Sequence, residues 1–455
     1  MLHKDGWYMT TAGIILAAGK GSRIRSVLPK SLHKVAGVAL VGHAVRIMRN
    51  AGIDDINVVA SEDLANSVEF KEALLPRVSI SVQSQQRGTA DALNAARSAV
   101  ASADTIVVAP NDMILVTDEI VRRMIESHNN SGSLATLLGA IVDDASGLGR
   151  VKLDTAGQPE AVLEEHEADN ELLQSKLINT AWYCFDSEWV WDVLEGIQPA
   201  DTGEVYLPRV IESAAKAGRS KIVVSDDPDT GLGINDRVQL SNVERITRWR
   251  TNEVHMGSGV TLQDPATTYI DIDVEIGCDT VIGAGTHIGT KSFIGANVTI
   301  GPNTRITASR IGDNATVDGA RVIDSVVGEG AMVGINSLLR GGTELKPGSR
   351  IGNLAEIKNS TIGSGSQVSH FSYVGDATIG ENVNIGAGTI TCNYDGIEKH
   401  PTVIEDEALI GSSTMLLAPV TIGKAARTGA GSVVRTDVVA GDTVAGVPAK
   451  SIKSK

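Results

Sequence analysis

Cysteine is scarce in this sequence. The three cysteines, Cys184, Cys278 and Cys392, lie far apart and form no Cys-x-x-Cys pair. Disulfide frameworks and structural zinc sites need clustered cysteines, so the sequence predicts neither. A chain of this kind is expected to fold in a reducing cytoplasm without covalent cross-links.

Long apolar runs are also missing. No stretch approaches the roughly 18 apolar residues that span a bilayer. Residues 1–11 lack the charged and then apolar order of a signal peptide. We therefore expect neither membrane insertion nor secretion, and a cytoplasmic location.

Positive charge is outnumbered by negative charge. The chain has 40 Lys and Arg residues against 55 Asp and Glu residues, which gives a formal net charge of −15 at pH 7. Nucleic acids and anionic membranes favour a basic surface, so neither is an expected partner. An anionic substrate would need Lys and Arg concentrated at one place.

The length of 455 residues favours two or three domains. Apolar runs at 13–16, 56–59, 78–82 and 105–108 alternate with helical stretches at 41–51 and 90–101. This alternation predicts a Rossmann-like α/β domain with a mostly parallel sheet, which we place at residues 1–235. The charged segment that follows predicts a connecting helix, placed at 236–262.

Residues 263–455 have a different pattern, rich in Gly, Ile and Val. Ile-Gly pairs begin at positions 276, 282, 288, 294 and 300, and the rhythm returns at 351, 362, 379, 385, 410 and 422. One aliphatic side chain per short strand can fill a narrow prism, and the small residue after it lets the chain turn. The pattern predicts a parallel β-helix of hexapeptide repeats, because a flexible Gly-rich linker does not keep aliphatic residues in phase.

A glycine-rich motif follows the first apolar run. Residues 16–23 have the sequence LAAGKGSR, and LPKSL follows at 28–32. Backbone N–H groups of such a loop can bind phosphates, with Lys20 and Arg23 adding charge. The alternative is a tight turn without a ligand. Taken together, the two segments resemble the signature of sugar-nucleotide pyrophosphorylases.

That resemblance implies a nucleotidyltransferase and a set of ligand residues. Arg23 and Lys30 would act as catalytic residues by stabilising charge on the nucleotide phosphates. The residues implied to contact UTP and N-acetylglucosamine 1-phosphate are Leu16, Ala17, Gly19, Lys30, Gln83, Gly88, Thr89, Gly149, Glu164, Asn179 and Asn235. Positions 83–89 match the segment that binds uracil, and positions 149, 164 and 179 match those that hold the acetamido sugar. Each residue alone is more often a loop glycine or a solvated polar side chain.

The same resemblance implies a metal. Asp112 follows the apolar run at 105–108, and Asn235 lies in the segment GINDR. The two would hold Mg²⁺, which takes oxygen ligands, whereas a lone Asp after a strand is commonly only a cap. The reaction implied is attack of a sugar 1-phosphate oxygen on the α-phosphorus of UTP, with release of pyrophosphate.

The segment VNIGAGTITCNYDG at 383–396 carries a second resemblance. It is similar to the acetyl-transfer signature of the bifunctional N-acetylglucosamine-1-phosphate uridyltransferase and glucosamine-1-phosphate acetyltransferase family, and the likeness runs from about Ala12 through nearly the whole chain. It implies that the β-helix is left-handed and that the protein is a homotrimer. Residues 393–402 break the six-residue rhythm, which predicts a protruding loop.

The family pattern also assigns roles in acetyl transfer. His370 would be the general base, since an imidazole has its pKa near working pH, and Glu356 would orient it. Arg340, Lys358, Tyr373, Asn384 and Lys399 would bind glucosamine 1-phosphate. Acetyl-CoA, as co-substrate, would contact Ala387, Asn393, Tyr394, Ser412 and Ala430. A lone histidine on a β-helix face is usually only a polar surface residue.

Several positions depart from the family pattern. Asn111 and Ile114 stand where a Gly and a Pro are usual, and Asp91 replaces a His. The segment EVYLPR at 204–209 and Ala181 differ as well. In the family, several of these positions lie on the sugar side of the nucleotide site. The chain closes with GVPAK at 446–450 and lacks the longer basic tail that some relatives use on coenzyme A.

Three hypotheses follow. The leading one is a bifunctional enzyme that makes UDP-N-acetylglucosamine. The second is an acetyltransferase whose nucleotidyltransferase is weakened or altered in substrate. The third is a non-catalytic assembly subunit with the same folds, against which the retained Arg23, Lys30, Asp112, Asn235 and His370 argue.

Overall fold

The computed structural model describes residues 9–199 and 203–452. Residues 1–8 of the segment tested above for a signal peptide lie outside the described part. The chain divides into two compact units, Met1–Thr247 and Arg248–Lys455. Within the described residues, no helix combines the length and the apolar character needed to cross a membrane.

The first unit alternates strands and helices. Its strands are β1 (Thr11–Leu16), β2 (Lys34–Val35), β3 (Val38–Ala39), β4 (Asp55–Ala60), β5 (Val78–Val82), β6 (Thr105–Pro110), β7 (Ala135–Ile141), β8 (Arg150–Leu153), β9 (Pro159–Leu163), β10 (Leu177–Asp186) and β11 (Ser220–Ser225). Its helices are α1 (Leu40–Asn50), α2 (Glu62–Asn66), α3 (Val68–Ala73), α4 (Thr89–Ala95), α5 (Asp118–Ser131), α6 (Ser187–Gly196) and α7 (Val210–Lys216). Short 3-10 helices lie at Ser22–Ile24, Lys30–Leu32, Arg97–Val100, Leu172–Gln174, Leu207–Arg209 and Pro228–Gly231. Helix α8 (Arg237–Gly257) follows and contains the boundary between the units.

The main sheet of the first unit has the strand order β11-β7-β10-β6-β1-β4-β5. Strands β1, β4, β5 and β6 pair in parallel, and β10 is antiparallel to both of its neighbours, β6 and β7. The hairpin of β8 and β9 attaches to β10. The sheet is therefore mostly parallel, with one reversed strand in its interior.

Helices cover both faces of this sheet. Ile15 and Val107 pack with α1 and α5 on one side, while Ile14 and Ile106 pack with α4, α6 and α7 on the other. Neighbouring residues of one strand therefore enter different core clusters. A strand buried on both faces has to be apolar throughout, which explains the continuous runs in the sequence.

The second unit is a stack of very short strands. These are β12 (Thr261–Leu262), β13 (Tyr269–Ile270), β14 (Glu275–Ile276), β15 (Val281–Ile282), β16 (His287–Ile288), β17 (Phe293–Ile294), β18 (Thr299–Ile300), β19 (Arg305–Thr307), β20 (Arg310–Ile311), β21 (Thr316–Val317), β22 (Arg321–Ile323), β23 (Ser325–Val327), β24 (Met332–Val333), β25 (Leu338–Arg340), β26 (Thr343–Leu345), β27 (Arg350–Ile351), β28 (Glu356–Lys358), β29 (Thr361–Ile362), β30 (Gln367–Val368), β31 (Tyr373–Gly375), β32 (Ala377–Ile379), β33 (Asn384–Ile385), β34 (Ile390–Cys392), β35 (Thr402–Ile404), β36 (Leu409–Ile410), β37 (Met415–Leu417), β38 (Val420–Ile422), β39 (Arg427–Thr428), β40 (Val433–Val434), β41 (Thr443–Ala445) and β42 (Lys450–Ser451).

Every third strand joins the same sheet, so the chain winds around a three-sided prism. The first face runs from β12 through β15 to β42, the second from β13 through β16 to β40, and the third from β14 through β17 to β38. Neighbouring coils pair in parallel, apart from the final β41–β42 pair, which is antiparallel. Inward aliphatic residues from all three faces form one continuous core.

Buried hydroxyl groups tie successive coils together. The hydroxyls of Thr280, Ser337 and Ser366 donate to the carbonyls of Gly295, Gly352 and Gly380 at 2.8, 2.7 and 2.7 Å, respectively. These carbonyls lie at the corners, where the strand ladder ends. The hydroxyls therefore satisfy polar backbone groups that burial would otherwise leave without partners.

Candidate active sites

The first site lies where the order of the sheet reverses. Strand β1 pairs with β4 on one side and with β6 on the other, and Leu16 is paired with Pro110 at their carboxyl ends. The glycine-rich loop after β1 and the Asp112 loop after β6 therefore leave the same edge of the sheet. Ligands of open α/β sheets bind in the crevice at such a switch point.

A cleft of about 710 Å³ occupies this edge. The sequence-predicted residues that line it are Leu16, Gly19, Arg23, Lys30, Gln83, Gly88, Thr89, Asp112, Gly149, Glu164, Asn179 and Asn235. Ala17 is buried beneath the loop, where its N–H donates to the carbonyl of Val59 at 2.8 Å. One cleft thus brings together residues that are spread over more than 200 positions of the chain.

Sequence reasoning missed some of the lining residues. Gln86 lines the cleft and its Nε2 donates to the Ala18 carbonyl at 2.6 Å, which ties the glycine-rich loop to the segment at 83–89. Tyr183 and Tyr206 also line it. Gln86 lies three residues after Gln83, in the segment predicted to bind uracil, and this position is the sequence signal that could have identified it.

Basic side chains and oxygen ligands meet at the centre of the cleft. The Lys30 Nζ contacts the Asp112 carboxylate and lies 3.2 Å from the Asn235 Oδ1, and Arg23 donates to that same oxygen at 2.9 Å. The N–H of Ile234 donates to the Asp112 carbonyl at 3.1 Å, which fixes the Asn235 segment beside the Asp112 loop. The two cations therefore surround the two predicted metal ligands.

The donor set suits a hard divalent cation. Asp112 and Asn235 offer one carboxylate and one amide oxygen, and Mg²⁺ is commonly held by one or two such oxygens together with substrate phosphates and water. Within the described residues, no group of three or more His, Cys, Asp and Glu side chains has the arrangement of a metal site. The pair fits Mg²⁺ bound jointly with a nucleotide.

The Asp112 loop is held by packing of the residues that follow Asp112. Met113, Ile114 and Leu115 are all buried, with 8, 7 and 3% of their surfaces exposed. The Trp182 indole N–H also donates to the Met113 carbonyl at 3.4 Å. Apolar packing and the Trp182 hydrogen bond therefore hold Asp112 at the cleft.

The predicted sugar side of the cleft contains Glu164 and Asn179. Burial raises the pKa of Glu164, and the neighbouring carboxylate of Glu167 raises it further. The Asn179 Nδ2 donates to the Tyr183 hydroxyl at 2.7 Å, and its Oδ1 accepts the Ala181 N–H at 3.0 Å. Ala181 has a φ of +59°, a left-handed backbone conformation that favours glycine.

The second site follows one corner of the prism. His370, Ala387, Ser412 and Ala430 occupy the turn between the first and second faces on four successive coils, and we call this set the corner column. Backbone bonds of 2.7 to 2.9 Å connect them: Gly388 donates to His370, Ser413 to Ala387 and Gly431 to Ser412. Coils stack about 4.8 Å apart, so the column is a regular ladder.

Residue size changes along this corner. Leu354 and Phe371 are bulky and 48 and 65% exposed. Beyond His370 the same turns contain only small residues: Ala387-Gly388, Ser412-Ser413 and Ala430-Gly431. The corner column is therefore a shallow trough that begins at His370, where a flexible chain can lie against the backbone.

His370 is exposed and lightly held. Its Nδ1 accepts the Asn353 N–H at 3.1 Å, which puts the proton of a neutral ring on Nε2. A Cβ at Gly352 would lie 3.1 Å from this nitrogen, so a glycine leaves room for the ring. A base role at Nε2 needs the proton on Nδ1 instead, and the exposed ring can reach that state by turning away from Asn353.

Polar residues continue onto the second face. The Arg340 Nε and Nη2 donate to one Glu356 oxygen at 2.9 and 2.6 Å. Arg340 pairs in register with Lys358, and Glu356 pairs with Tyr373. Glu356 therefore has Arg340 as its ionic partner.

A group of charges lies beside Tyr373. Lys399 lies close to Lys358 and lowers the pKa of that lysine, through both a hydrogen bond and charge repulsion. Burial favours the neutral form of Asp376, but hydrogen bonds from Asn359 and Asn393 and the nearby lysines outweigh it and lower its pKa. Two ammonium groups this close favour an anion between them.

The residues after Cys392 form the predicted loop. Tyr394 and Lys399 face each other in an antiparallel bridge. Asp395 accepts the N–H groups of Ile397 and Glu398 at 2.8 Å each and contacts His400 at 2.7 Å. These bonds lower the pKa of Asp395, with the His400 bond contributing most. The loop is thus a braced hairpin on the prism.

Asn384 lies apart from the other predicted sugar-phosphate residues. It is exposed on β33 of the first face, whereas Arg340, Lys358 and Tyr373 belong to the second face. Outward side chains on neighbouring faces of a prism diverge. Within one chain, therefore, Asn384 does not join the cluster around Lys358.

Family models match both units. Residues 13–143 match the MobA-like NTP transferase domain. Residues 273–308 match the bacterial transferase hexapeptide with six repeats, and residues 401–435 match the hexapeptide repeat of succinyl-transferase. The predicted fold, an α/β nucleotidyltransferase domain followed by a left-handed β-helix of hexapeptide repeats, is confirmed.

Curated relatives match almost end to end. The bifunctional protein GlmU of Syntrophomonas wolfei is 43% identical over 432 residues, which are 94% of this chain and 96% of the relative. That of Heliobacterium modesticaldum is 42% identical, covering 94% of this chain and 93% of the relative. That of Exiguobacterium sibiricum is 43% identical, covering 94 and 96%. At this identity and coverage, the chain belongs to the family of the bifunctional protein GlmU.

Proposed function

We propose that this chain is a bifunctional enzyme of UDP-N-acetylglucosamine synthesis. The second unit transfers an acetyl group from acetyl-CoA to glucosamine 1-phosphate, and the first unit then transfers a uridylyl group from UTP to the N-acetylated product. The observation that carries the proposal is the convergence of the predicted nucleotide, sugar and metal residues on one cleft, in a chain of this family.

Uridylyl transfer uses the basic centre of the cleft. A phosphate oxygen of the sugar attacks the α-phosphorus of UTP, and the bond from that phosphorus to pyrophosphate breaks. Lys30 and Arg23 neutralise negative charge that builds up on the phosphates, and the loop after β1 offers backbone N–H groups. Mg²⁺, held by Asp112 and Asn235 together with the phosphates, would supply further positive charge.

The Lys30 contacts suggest how the centre is prepared. Its ammonium bridges Asp112 and Asn235, so the carboxylate is already neutralised in the free enzyme. When phosphates bind, Lys30 can redirect its N–H donors to them, while the two oxygens become available to the metal. The side chains of Lys30 and Asp112 are already largely shielded from water in the cleft, with 13 and 20% of their surfaces exposed.

Acetyl transfer uses the trough and the second face. The sugar amine attacks the thioester carbonyl carbon, His370 accepts a proton from that nitrogen, and the thiolate of coenzyme A leaves. The trough of Ala387, Ser412 and Ala430 accommodates the pantetheine arm, and Ser412 can donate to the developing oxyanion. Lys358 and Lys399 bind the sugar phosphate.

The divergence of the two faces supports a homotrimer. Asn384 on the first face of one prism can meet Lys358 and Tyr373 only if they belong to a neighbouring copy. Co-expressed, differently tagged Asn384→Ala and Lys358→Ala chains are expected to form mixed trimers that recover acetylation. Each variant alone should be nearly inactive. A monomer by light scattering that still acetylates would exclude this arrangement.

The same proposal defines small-molecule partners and location. The substrates are UTP, acetyl-CoA, glucosamine 1-phosphate and N-acetylglucosamine 1-phosphate. They are phosphorylated or thioester metabolites of the cell interior, so we place the enzyme in the cytoplasm. The formal net charge of −15 does not favour nucleic acid as a partner.

One assay separates the hypotheses. Purified protein receives glucosamine 1-phosphate, acetyl-CoA, UTP and Mg²⁺, and the release of free thiol and of pyrophosphate is followed separately. A parallel reaction supplies N-acetylglucosamine 1-phosphate directly. Both signals are expected. Thiol without pyrophosphate would leave only the acetyltransferase, and silence in both would favour a non-catalytic subunit.

A further inference from the structure

Asp91 lies beside the residue that is predicted to contact the base. The Gln83 Nε2 donates to the Asp91 Oδ2 at 2.9 Å and to the Gly88 carbonyl at 3.2 Å. Gln83 is only 6% exposed, yet it lines the cleft. The two hydrogen atoms of the amide are therefore both engaged by the protein.

Neither the Asp91 carboxylate nor the Gly88 carbonyl can act as a donor in place of the Gln83 amide. A carbonyl and an ionised carboxylate accept hydrogen bonds and donate none. Turning the amide over would place its oxygen against both of these oxygens, so the orientation is fixed by chemistry. Among the described residues, none donates a hydrogen bond to the Gln83 Oε1. This oxygen is also not one of the fully buried polar atoms that lack a partner, so it is accessible from the cleft. What Gln83 presents to the cleft is an acceptor.

Arg87 holds Asp91 in this position. Its Nη2 donates to the other carboxylate oxygen, Oδ1, at 2.7 Å, and its Nε lies 3.3 Å from that oxygen. Arg87 is itself anchored, because its carbonyl accepts the Val205 N–H at 2.7 Å. The Asp91 side chain is only 17% exposed, so little water competes for it.

We propose that Asp91 is a specificity-determining positioning residue that fixes Gln83 as a hydrogen-bond acceptor and so selects a nucleobase with a ring N–H donor. Uracil has such a donor at N3, between two carbonyl groups. Cytosine has a lone pair at the same atom, and a fixed acceptor opposite it is repulsive. The inference rests on the proposed uridylyl transfer and deepens it.

The test compares UTP with CTP. Asp91→Asn gives the neighbour both a donor and an acceptor, so that only the Gly88 carbonyl still opposes turning the Gln83 amide over. The ratio of kcat/KM for UTP over CTP is expected to fall by about tenfold, the effect of losing one well-placed hydrogen bond. Loss of the negative charge affects both triphosphates alike and cancels in the ratio. Asp91→Glu, which keeps the acceptor-only group, should retain most of the selectivity.

A double-mutant cycle distinguishes positioning from a general structural effect. In a Gln83→Ala background, Asp91→Asn should leave the UTP to CTP ratio unchanged, because the amide it controls is gone. An equal fall in both backgrounds, or no fall in either, would overturn the role of Asp91. The ratio of dissociation constants for the two triphosphates is measured alongside, so the result does not depend on turnover. Absence of pyrophosphate release by the unaltered chain would instead count against the proposed function.

Discussion

The two units place their functional side chains in opposite ways. In the first unit, strand ends and loops converge on a concave cleft of about 710 Å³. In the second, the prism interior is filled with aliphatic residues, so its functional side chains lie on corners and outer faces. A concave site can enclose its substrate within one copy, whereas an outer surface needs a second surface to exclude water.

The units also differ in what holds their residues. In the cleft, side chains hold one another: Lys30 bridges Asp112 and Asn235, and Asp91 fixes Gln83. On the prism, backbone bonds between coils set the spacing of His370, Ala387 and Ser412. We therefore expect the cleft to be sensitive to loss of polar groups and the prism to be sensitive to added volume.

The largest effect is expected at Asp112. Asp112→Ala removes a carboxylate that contacts Lys30 and is a proposed Mg²⁺ ligand, so uridylyl transfer should fall by about a thousandfold, as when a charge-stabilising group is removed. Acetylation should not change. Pyrophosphate release and thiol release are measured on the same preparation.

The matched control for that substitution is Asp118→Ala. Asp118 is half-buried at the start of α5, pairs with Arg122 within the helix and does not line the cleft. Both activities should survive it. Loss of acetylation in a folded Asp112→Ala protein would contradict the independence of the two sites.

The reverse experiment is made at His370. His370→Ala should lower acetylation by about a hundredfold or more, the range for removal of a general base. It should leave pyrophosphate release from supplied N-acetylglucosamine 1-phosphate unchanged. His287→Ala is the control, because His287 also lies on the outside of the prism, stacked 4.5 Å from Tyr269. Equal losses in both variants would remove His370 from the mechanism.

The contrast between the units also explains what sequence could predict. Most strands of the prism repeat the same local requirement, one inward aliphatic residue and a small residue at the turn, so the period alone indicates a parallel β-helix. The runs of β1, β4 and β6 were likewise visible because both of their faces are buried. The reversed strand β10 was not predictable, since its direction depends on where the chain returns after the β8–β9 hairpin.

Side-chain partners were harder to predict than site membership. Motifs brought Arg23, Lys30 and Asn235 into one set, but a motif does not say which atom a side chain contacts. The pairing of Glu356 with Arg340 follows from their register on adjacent coils. The separation of Asn384 follows from counting strands around the prism. Both require three-dimensional positions that a linear spacing does not contain.

Added volume on the prism is tested at Gly375. A Cβ there would lie 2.5 Å from the Tyr373 hydroxyl oxygen and 2.8 Å from the Asn393 Nδ2, so Gly375→Ala must displace both side chains. The KM for glucosamine 1-phosphate is expected to rise by about tenfold, a moderate cost for misplacing binding groups. Steady-state kinetics with varied sugar phosphate measures it.

Gly289→Ala is the matched control, because Gly289 occupies the same place on the second face five coils earlier in the register from β16 to β31. Its new Cβ would lie 3.1 Å from the Thr307 hydroxyl oxygen and 3.6 Å from the Ile306 carbonyl oxygen, and neither residue is a predicted ligand. Acetylation should be unaffected. A KM for glucosamine 1-phosphate unchanged by Gly375→Ala would show that Tyr373 does not contact the sugar phosphate.

The smallest effect concerns pH in the cleft. Because burial and Glu167 raise the pKa of Glu164, this carboxylate becomes protonated at a higher pH than an ordinary glutamate during acidification. The ionised form accepts charge-assisted hydrogen bonds from sugar hydroxyls at both oxygens, so the KM for N-acetylglucosamine 1-phosphate should rise a few-fold as pH falls toward that raised pKa. Glu167→Gln removes the neighbouring charge and should move this rise to lower pH, whereas Glu164→Gln should abolish it and leave the KM high throughout. The three pH profiles of KM are compared under conditions where UTP is saturating, and coincident profiles for the unaltered and Glu164→Gln proteins would mean that Glu164 does not bind the sugar.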